Sequence, residues 1–235
     1  MEVVRSAADA LVGARSSKAR TSMEMATGGT RVTIRGEGVY DFRRQVGQLK
    51  VLLPQDPAGA TAHRPIMELL APGALFMKNR GAGVPADKWV RVDTRTLSDG
   101  NLVTGGATDP YAAAEVLRGA RTAKYMGREE VAGTSVRHYR GTADLDTAAR
   151  DASTGNREAL AAAAKGFATD QVPFDVYLDD DGRIRKVRHR FSFVNGQPSG
   201  AVAVASTTLL YDFGAPVDVR LPDREDIYAG KIAEE

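Results

Sequence analysis

Between Val172 and Pro222 the chain alternates apolar and polar residues in three successive runs, a period of two that no helix accommodates. In the first run Phe174, Val176 and Leu178 alternate with Asp175, Tyr177 and Asp179, the pattern of a strand with one buried face. Asp180, Asp181 and Gly182 follow; Asp and Gly tolerate the left-handed backbone of a hairpin turn. The return run, IRKVRHRFSF, sets Arg185, Val187, His189, Phe191 and Phe193 on one face and Ile184, Lys186, Arg188, Arg190 and Ser192 on the other. Asn195 and Gly196 mark the next turn, and Ala201 to Phe213 carries Thr207, Leu209, Tyr211 and Phe213 in one register. The three runs predict an antiparallel meander whose apolar face needs a cover.

More strands precede it. TSMEMAT places Met23 and Met25 together, and TRVTIRGEGVYDF places Val32, Ile34, Tyr40 and Phe42 together, with Gly28 and Gly29 as the reversal. GQLKVLL, IMELL, ALFMKNR and KWVRVD read as further strands, and Pro54 to Pro65 as an exposed loop. Residues 120–145 read as a hairpin with its turn at Glu130 to Gly133. Three helices are predicted. Residues 2–19 carry Val4, Ala7, Ala8, Leu11 and Ala14 on one stripe. Asp109 and Pro110 open the second as cap and first helical residue. Residues 156–168 form the third, with Leu160, Ala164 and Phe167 on its stripe. Leu97 to Thr108, rich in Gly, Asn and Ser, reads as irregular, and Asp223 to Glu235 as a frayed tail.

The order is helix, many strands, helix, two strands, helix, three strands, without the β-α-β alternation of a doubly wound nucleotide fold. The expected architecture is therefore α+β: one domain over residues 1–235, with an antiparallel sheet of roughly ten strands, enough to curl, and about three helices on its apolar face.

Composition and motifs exclude several functions. A net charge of +2 supplies no global field for nucleic acid. The basic run Arg183 to Arg190 has no aromatic partner set, so it reads as the solvated face of a strand. With no cysteine, thiol chemistry and disulfides are excluded within these residues. The three histidines, His63, His138 and His189, show no metal-ligand spacing. Gly36-Glu37-Gly38 and Gly81-Ala82-Gly83 lack the third glycine and the strand-to-helix context of a dinucleotide site. There is no G-x-S-x-G elbow and no spacing that favours a triad. No catalytic residue, metal or cofactor is expected. What remains is the apolar face. Methionines there (Met23, Met25, Met67 and Met77 by this reading) suit either a pocket for variable apolar chains or an ordinary core.

Four segments carry a resemblance: DPYAAAEVLRGA at 109–120, MGREEVAGTSVRHYRGTADL at 126–145, VPFDVYLDDDGRIRKV at 172–187 and YDFGAPVDVRLP at 211–222. MELLAPGALFMK at 67–78 followed by KWVRVD at 88–93 fits the same order. In these the chain resembles the LppX/LprAFG family of actinobacterial lipoproteins, with the half-barrel shared by LolA/LolB and RseB-type envelope proteins.

The resemblance implies a strongly curved antiparallel half-barrel with helices on its concave side and a hydrophobic cavity for acyl chains between them. It implies an exported protein, held at the outer face of the membrane by a lipidated cysteine. No cysteine occurs here, so the expectation is an anchor before residue 1 or an untethered, secreted member. The implied function is an extracytoplasmic lipid carrier or chaperone that makes and breaks no bond. It acts as a monomer with a lipid ligand and the membrane surface as partners. The alternative is an envelope sensor or interaction module of the RseB type. Strand parity nominates Met23, Met25, Val32, Ile34, Leu49, Val51, Phe174, Val176, Leu178, Leu209 and Tyr211 as cavity lining, and the resemblance adds Leu117 from the closing helix.

Overall fold

The structure, a computed structural model, describes residues 1–27, 30–54, 64–194 and 201–230. The Gly28-Gly29 reversal, the Asn195-Gly196 turn and residues 55–63 of the predicted loop, including His63, lie outside the described residues. Eleven strands form one antiparallel sheet: β1 (Ser16–Thr27), β2 (Thr30–Asp41), β3 (Val46–Leu52), β4 (Ile66–Ala71), β5 (Ala74–Lys78), β6 (Val90–Asp93), β7 (Ala120–Val131), β8 (Thr134–Asp144), β9 (Gln171–Leu178), β10 (Ile184–Val194) and β11 (Ala201–Tyr211). Their order is β6-β5-β4-β3-β2-β1-β11-β10-β9-β8-β7, so among the described residues β1 with β11 is the one pairing of strands that are not consecutive in the chain, and β6 and β7 are the outermost strands. An open antiparallel sheet of this size fits a curved half-barrel.

Among the described residues there are five α-helices, not three, on the inner side of the sheet: α1 (Glu2–Arg5), α2 (Ala7–Ala14), α3 (Pro110–Val116), α4 (Leu145–Asp151) and α5 (Thr154–Gly166). The predicted helix over 2–19 turns at Ser6 and stops at Ala14, where Arg15 takes a φ of 72°. Pairing overrides helix propensity beyond that point: Ser16 to Thr27 pairs with β2, and Ser17, Ala19, Thr21 and Met23 are buried at a period of two. Helix α4 falls where the sequence reads as a strand end. Its signal is a cap: the Asp144 carboxylate accepts from Thr147 N at 2.7 Å. Helix α3 starts as predicted, with the Asp109 carboxylate accepting from Tyr111 N (2.7 Å) and Ala112 N (3.0 Å) and from the Tyr40 hydroxyl (3.1 Å).

The described part of the tail is docked rather than frayed. Trp89 and Ile227 form a parallel bridge, with Trp89 N donating to Asp226 O and Tyr228 N to Trp89 O, both at 2.8 Å. Val217, Val219 and Ile227 thereby cover a small apolar cluster of Val46, Leu69, Ala74 and Phe76 on the outer face. The 3–5 end of the sheet is thus apolar on both faces, which accounts for the continuous apolar runs there. Residues 231–235 lie outside the described residues.

Asp109→Ala removes the cap of α3 and the partner of Tyr40 together. It is expected to lower stability by about 1–2 kcal/mol, and Asp109→Asn by less, both read from urea unfolding.

Candidate functional site

The inner face is built from alternate residues of adjacent strands. Met23 lies opposite Ile34 and Ser206, Met25 opposite Val32 and Val204, and Val187 opposite Val176. Ten of the twelve predicted lining residues belong to the main core on this side. Met23, Ile34, Leu49, Val51, Leu117, Phe174, Val176 and Leu178 are buried in it, and Met25 and Val32 pack against it half-buried.

Leu209 and Tyr211 do not share that face. Leu209 lies opposite Arg20, and Tyr211 opposite Lys18, on the outer side, where the Arg20 guanidinium stands over the Tyr211 ring at 5.3 Å. The inward residues of β11 are Val204, Ser206, Thr208 and Leu210. Both parities of this strand carry large apolar residues and the inward one also carries two hydroxyls, so parity alone points the wrong way. Met67 is likewise on the opposite face from Met77, because Met67 pairs with Lys78 and Glu68 with Met77. In β10 a register shift between Ile184 and Lys186 turns Ile184 inward, where it is fully buried, and leaves Arg185 against the Phe213 ring at 5.2 Å.

The helical cover of this face mixes large and small side chains, with Val4, Leu11, Tyr111, Val116, Leu145 and Leu160 buried beside many alanines. The buried undersides of the helices include Ala7 and Ala8, Ala112 to Ala114, Ala148 and Ala149, and Ala159 and Ala163. Over β2 to β5 the cover is not a helix at all but the irregular segment 97–108. It is wedged between the sheet and α5. A Cβ on Gly100 would lie 2.1 Å from Ala159 O, one on Gly106 3.5 Å from Ile34 Cγ2, and one on Gly36 of β2 3.3 Å from the Ala107 Cβ. Leu102 and Ala107 are fully buried. The segment is folded on itself around Asp99, whose carboxylate accepts from Asn101 N (3.1 Å), Val103 N (2.9 Å) and Thr104 N (2.6 Å). Among the described residues its one hydrogen bond to the sheet joins the Thr108 and Ser206 hydroxyls at 2.5 Å.

On this inner face and within the segment lie polar groups that sequence reasoning missed. Glu68 of β4 is 0% exposed and neither carboxylate oxygen has a protein partner. Thr21 Oγ1, Thr208 Oγ1, Asn101 Oδ1 and His189 Nε2 are also buried without one. A lone carboxylate inside the apolar run Ile66-Met67-Glu68-Leu69-Leu70 was the available signal. Burial pushes Glu68 up to about 8 against the pull of Arg80, and burial pushes His189 down to about 3. Both side chains are therefore neutral at pH 7. Glu115, equally buried, is different: it accepts from Ser153 N (2.8 Å), Ser153 Oγ (2.9 Å) and Asn156 Nδ2 (2.7 Å).

The outer face carries a satisfied ionic network. His138 bridges Glu129 (2.7 Å) and Asp175 (2.8 Å) and stacks on Tyr177 at 4.2 Å; Asp175 also takes Arg140 (2.7 Å) and Arg190 (3.0 Å). Burial raises the Asp175 carboxyl, but hydrogen bonds from Arg140, His138 and Arg190 outweigh it and hold the group below its ordinary value. No nucleophile hydrogen-bonds this histidine among the described residues, and none of them forms a group of three or more metal-type ligands. No helix among them is long and apolar enough to cross a membrane. An apolar cleft of about 340 Å³, rimmed by Arg20, Arg35, Lys50, Leu52 and Leu209, also opens on this face.

No family model matches the chain, and neither does any curated protein sequence. Solved structures do. The lipoprotein LppX of Mycobacterium tuberculosis superposes with a TM-score of 0.53 at 10% identity, covering 93% of this chain and 97% of LppX. The chain has the LppX fold. LprF of Mycobacterium bovis (TM-score 0.44, 14% identity, 94% of this chain and 95% of LprF) and MucB (0.38, 13%, 98% of this chain and 64% of MucB) are also similar. The resemblance in the sequence segments thus extends, as likeness of fold to LppX, over nearly the whole chain.

The two displaced titrations have opposite signs on this LppX-like inner face. Between pH 4.5 and about 8 the folded chain keeps a proton on Glu68 that the unfolded chain has lost, so stability falls as pH rises. Between about 3 and 6.5 the unfolded chain protonates His189 and the folded chain does not, so stability falls as pH drops. Glu68→Gln is expected to remove most of the loss between pH 5 and 8, on the order of a few kcal/mol. His189→Gln is expected to remove the loss on the acid side. Urea midpoints across pH 4 to 9 read both.

Proposed function

We propose that this chain is a non-catalytic, extracytoplasmic lipid carrier that holds acyl chains against the inner face of its sheet. The observation that carries the reading is the mismatch between that face and its cover. The sheet presents large apolar side chains, among them Met23, Ile34, Leu49, Val51, Phe174, Val176 and Leu178, while over β2 to β5 the cover is a glycine-rich irregular segment whose one fully buried large side chain is Leu102. A buried Leu or Met side chain contributes about 1.5–3 kcal/mol. The glycine-rich segment over β2 to β5 contributes far less, so that part of the cover separates from the sheet at low cost. An acyl chain entering between them gains about 0.8 kcal/mol per buried CH₂, and a long chain readily outweighs the contacts it displaces. Met23, Met25, Val32, Ile34, Leu49, Val51, Leu117, Phe174, Val176 and Leu178 would line the site. Likeness in fold to the lipoprotein LppX supports an envelope location, with a lipid anchor as the tie to the membrane surface.

One observation favours a second reading. The apolar cleft on the outer face, away from the helices, offers a protein partner a surface. In that case the chain is an interaction or sensor module and the inner face is its core.

Titration with 1-monoolein, followed by tryptophan fluorescence or calorimetry, separates the two. A carrier binds one or two molecules with a dissociation constant in the micromolar range or tighter. Met25→Arg, at the half-buried end of the inner face, should weaken binding at least tenfold, and Leu209→Ser on the outer face should change it less than twofold. Saturable binding lost in Leu209→Ser and kept in Met25→Arg contradicts the carrier reading.

A further inference from the structure

We propose that the acyl site lies beneath residues 97–108, which fill it in this structure, and that Glu68 of the sheet receives a neutral hydrogen-bonding headgroup there. This inference rests on the carrier reading and makes it specific.

Three features of the segment support it. First, it is self-contained: its turn is organised by the Asp99 carboxylate and by the Leu102 N to Asp99 O (3.0 Å) and Gly106 N to Val103 O (3.0 Å) bonds. Apart from Thr108 to Ser206, it is bonded to itself and not to the strands under it. It can move as a unit and keep its own hydrogen bonds. Second, it fills the trough with little side chain. Gly105 and Gly106 lie against Leu75 and Ile34, and its fully buried apolar side chains are Leu102 and Ala107, with Val103 half-buried against the same core. Third, its polar pattern does not match the sheet. Both oxygens of Glu68, the Thr21 and Thr208 hydroxyls, and Asn101 Oδ1 are buried without protein partners. Leaving such groups unpaired costs roughly 1–3 kcal/mol each, which a segment adapted solely to cap this trough would avoid.

The two carboxyl and amide groups face one point. A Cβ at Gly105 would lie 3.0 Å from Asn101 Oδ1 and 3.3 Å from Glu68 Oε1. Asn101 Oδ1 accepts, and the neutral Glu68 carboxyl can both accept and donate, with the apolar Leu49 and Met77 on either side of Glu68 in the sheet. That arrangement suits a donor such as a hydroxyl or an amide N–H at the end of an apolar chain. It disfavours a free carboxylate, which would add charge to a buried acid. The ligand class is therefore a neutral hydroxyl- or amide-bearing acyl lipid rather than a fatty-acid anion.

Two variants test this with 1-monoolein and methyl oleate, which share a chain and differ in the donor. The chain has no cysteine, so an engineered disulfide is unambiguous. Gly36→Cys with Ala107→Cys places the two Cβ atoms about 3.3 Å apart, a few tenths of an ångström short of the usual disulfide range, which a small shift of the segment restores. Thr21→Ala makes room, since Thr21 Oγ1 would lie 2.5 Å from the new Cβ. Oxidised, this triple variant should lose monoolein binding at least tenfold and regain it on reduction. In the wild type monoolein should bind at least tenfold tighter than methyl oleate. Glu68→Leu, which replaces an unpaired acid by an apolar group, should fold and bind both with equal affinity. Equal binding by the oxidised and reduced forms overturns the site. An unchanged preference in Glu68→Leu overturns the role of Glu68. If the wild type binds neither probe, the carrier reading itself fails.

Discussion

An eleven-stranded open sheet with one large apolar face must be covered, and the rest of this structure follows from how that cover is made. Helices α2 and α3 pack on β1 and β10, and α5 holds the segment 97–108 against β2 to β5. Burial of the sheet's Leu, Val, Ile, Phe and Met side chains supplies the driving force. The helices add Leu11, Tyr111, Val116, Leu145 and Leu160 to the core, whereas segment 97–108 contributes mainly backbone and methyl groups. Where large side chains of the sheet lie under that segment, little holds the cover to the sheet specifically. That asymmetry connects the fold to the proposed carrier activity.

Polar groups sharpen the contrast. Where a buried charge serves the architecture, it is fully paired: Glu115 ties α3 to the α4–α5 junction through Ser153 and Asn156, and Asp175 gathers His138, Arg140 and Arg190 on the outer face. Glu68 and His189 are buried just as deeply and stay neutral, with one or more polar atoms unpaired. Buried side-chain atoms without a partner are not confined to the inner face, since the Nε atoms of Arg137, Arg185 and Arg188 are among them, but Glu68 stands out as an acid with neither oxygen paired. That acid would set selectivity once an apolar chain supplies affinity.

Much of this was legible in the sequence. The strands announced themselves by alternation, the Asp109-Pro110 start of α3 by its cap, and the half-barrel by the order of the segments. The failures have physical causes. Strand β11 has apolar residues on both parities, and its inward side mixes Val204 and Leu210 with Ser206 and Thr208, so the outward Leu209 and Tyr211 looked like the buried set. A one-residue register shift at Ile184 exchanged that residue with Arg185. The end of the first helix at Ala14 was decided by pairing with β2, a contact no local window contains. Segment 97–108 read correctly as irregular, but its place inside the molecule depends on Asp99 capturing three backbone amides and on glycines that let it approach α5 and β2. Glu68 was visible as one acid in an apolar run, and only the sheet shows that it points inward with nothing to pair it.

The most direct test of the carrier claim is native mass spectrometry of the protein purified from an actinobacterial host, followed by organic extraction. The account predicts a chain that carries one lipid in stoichiometric amount, extractable as a neutral acyl species. A bare-chain mass that gains no adduct after incubation with mono- and diacylglycerols would contradict it and leave the interaction-module reading in its place.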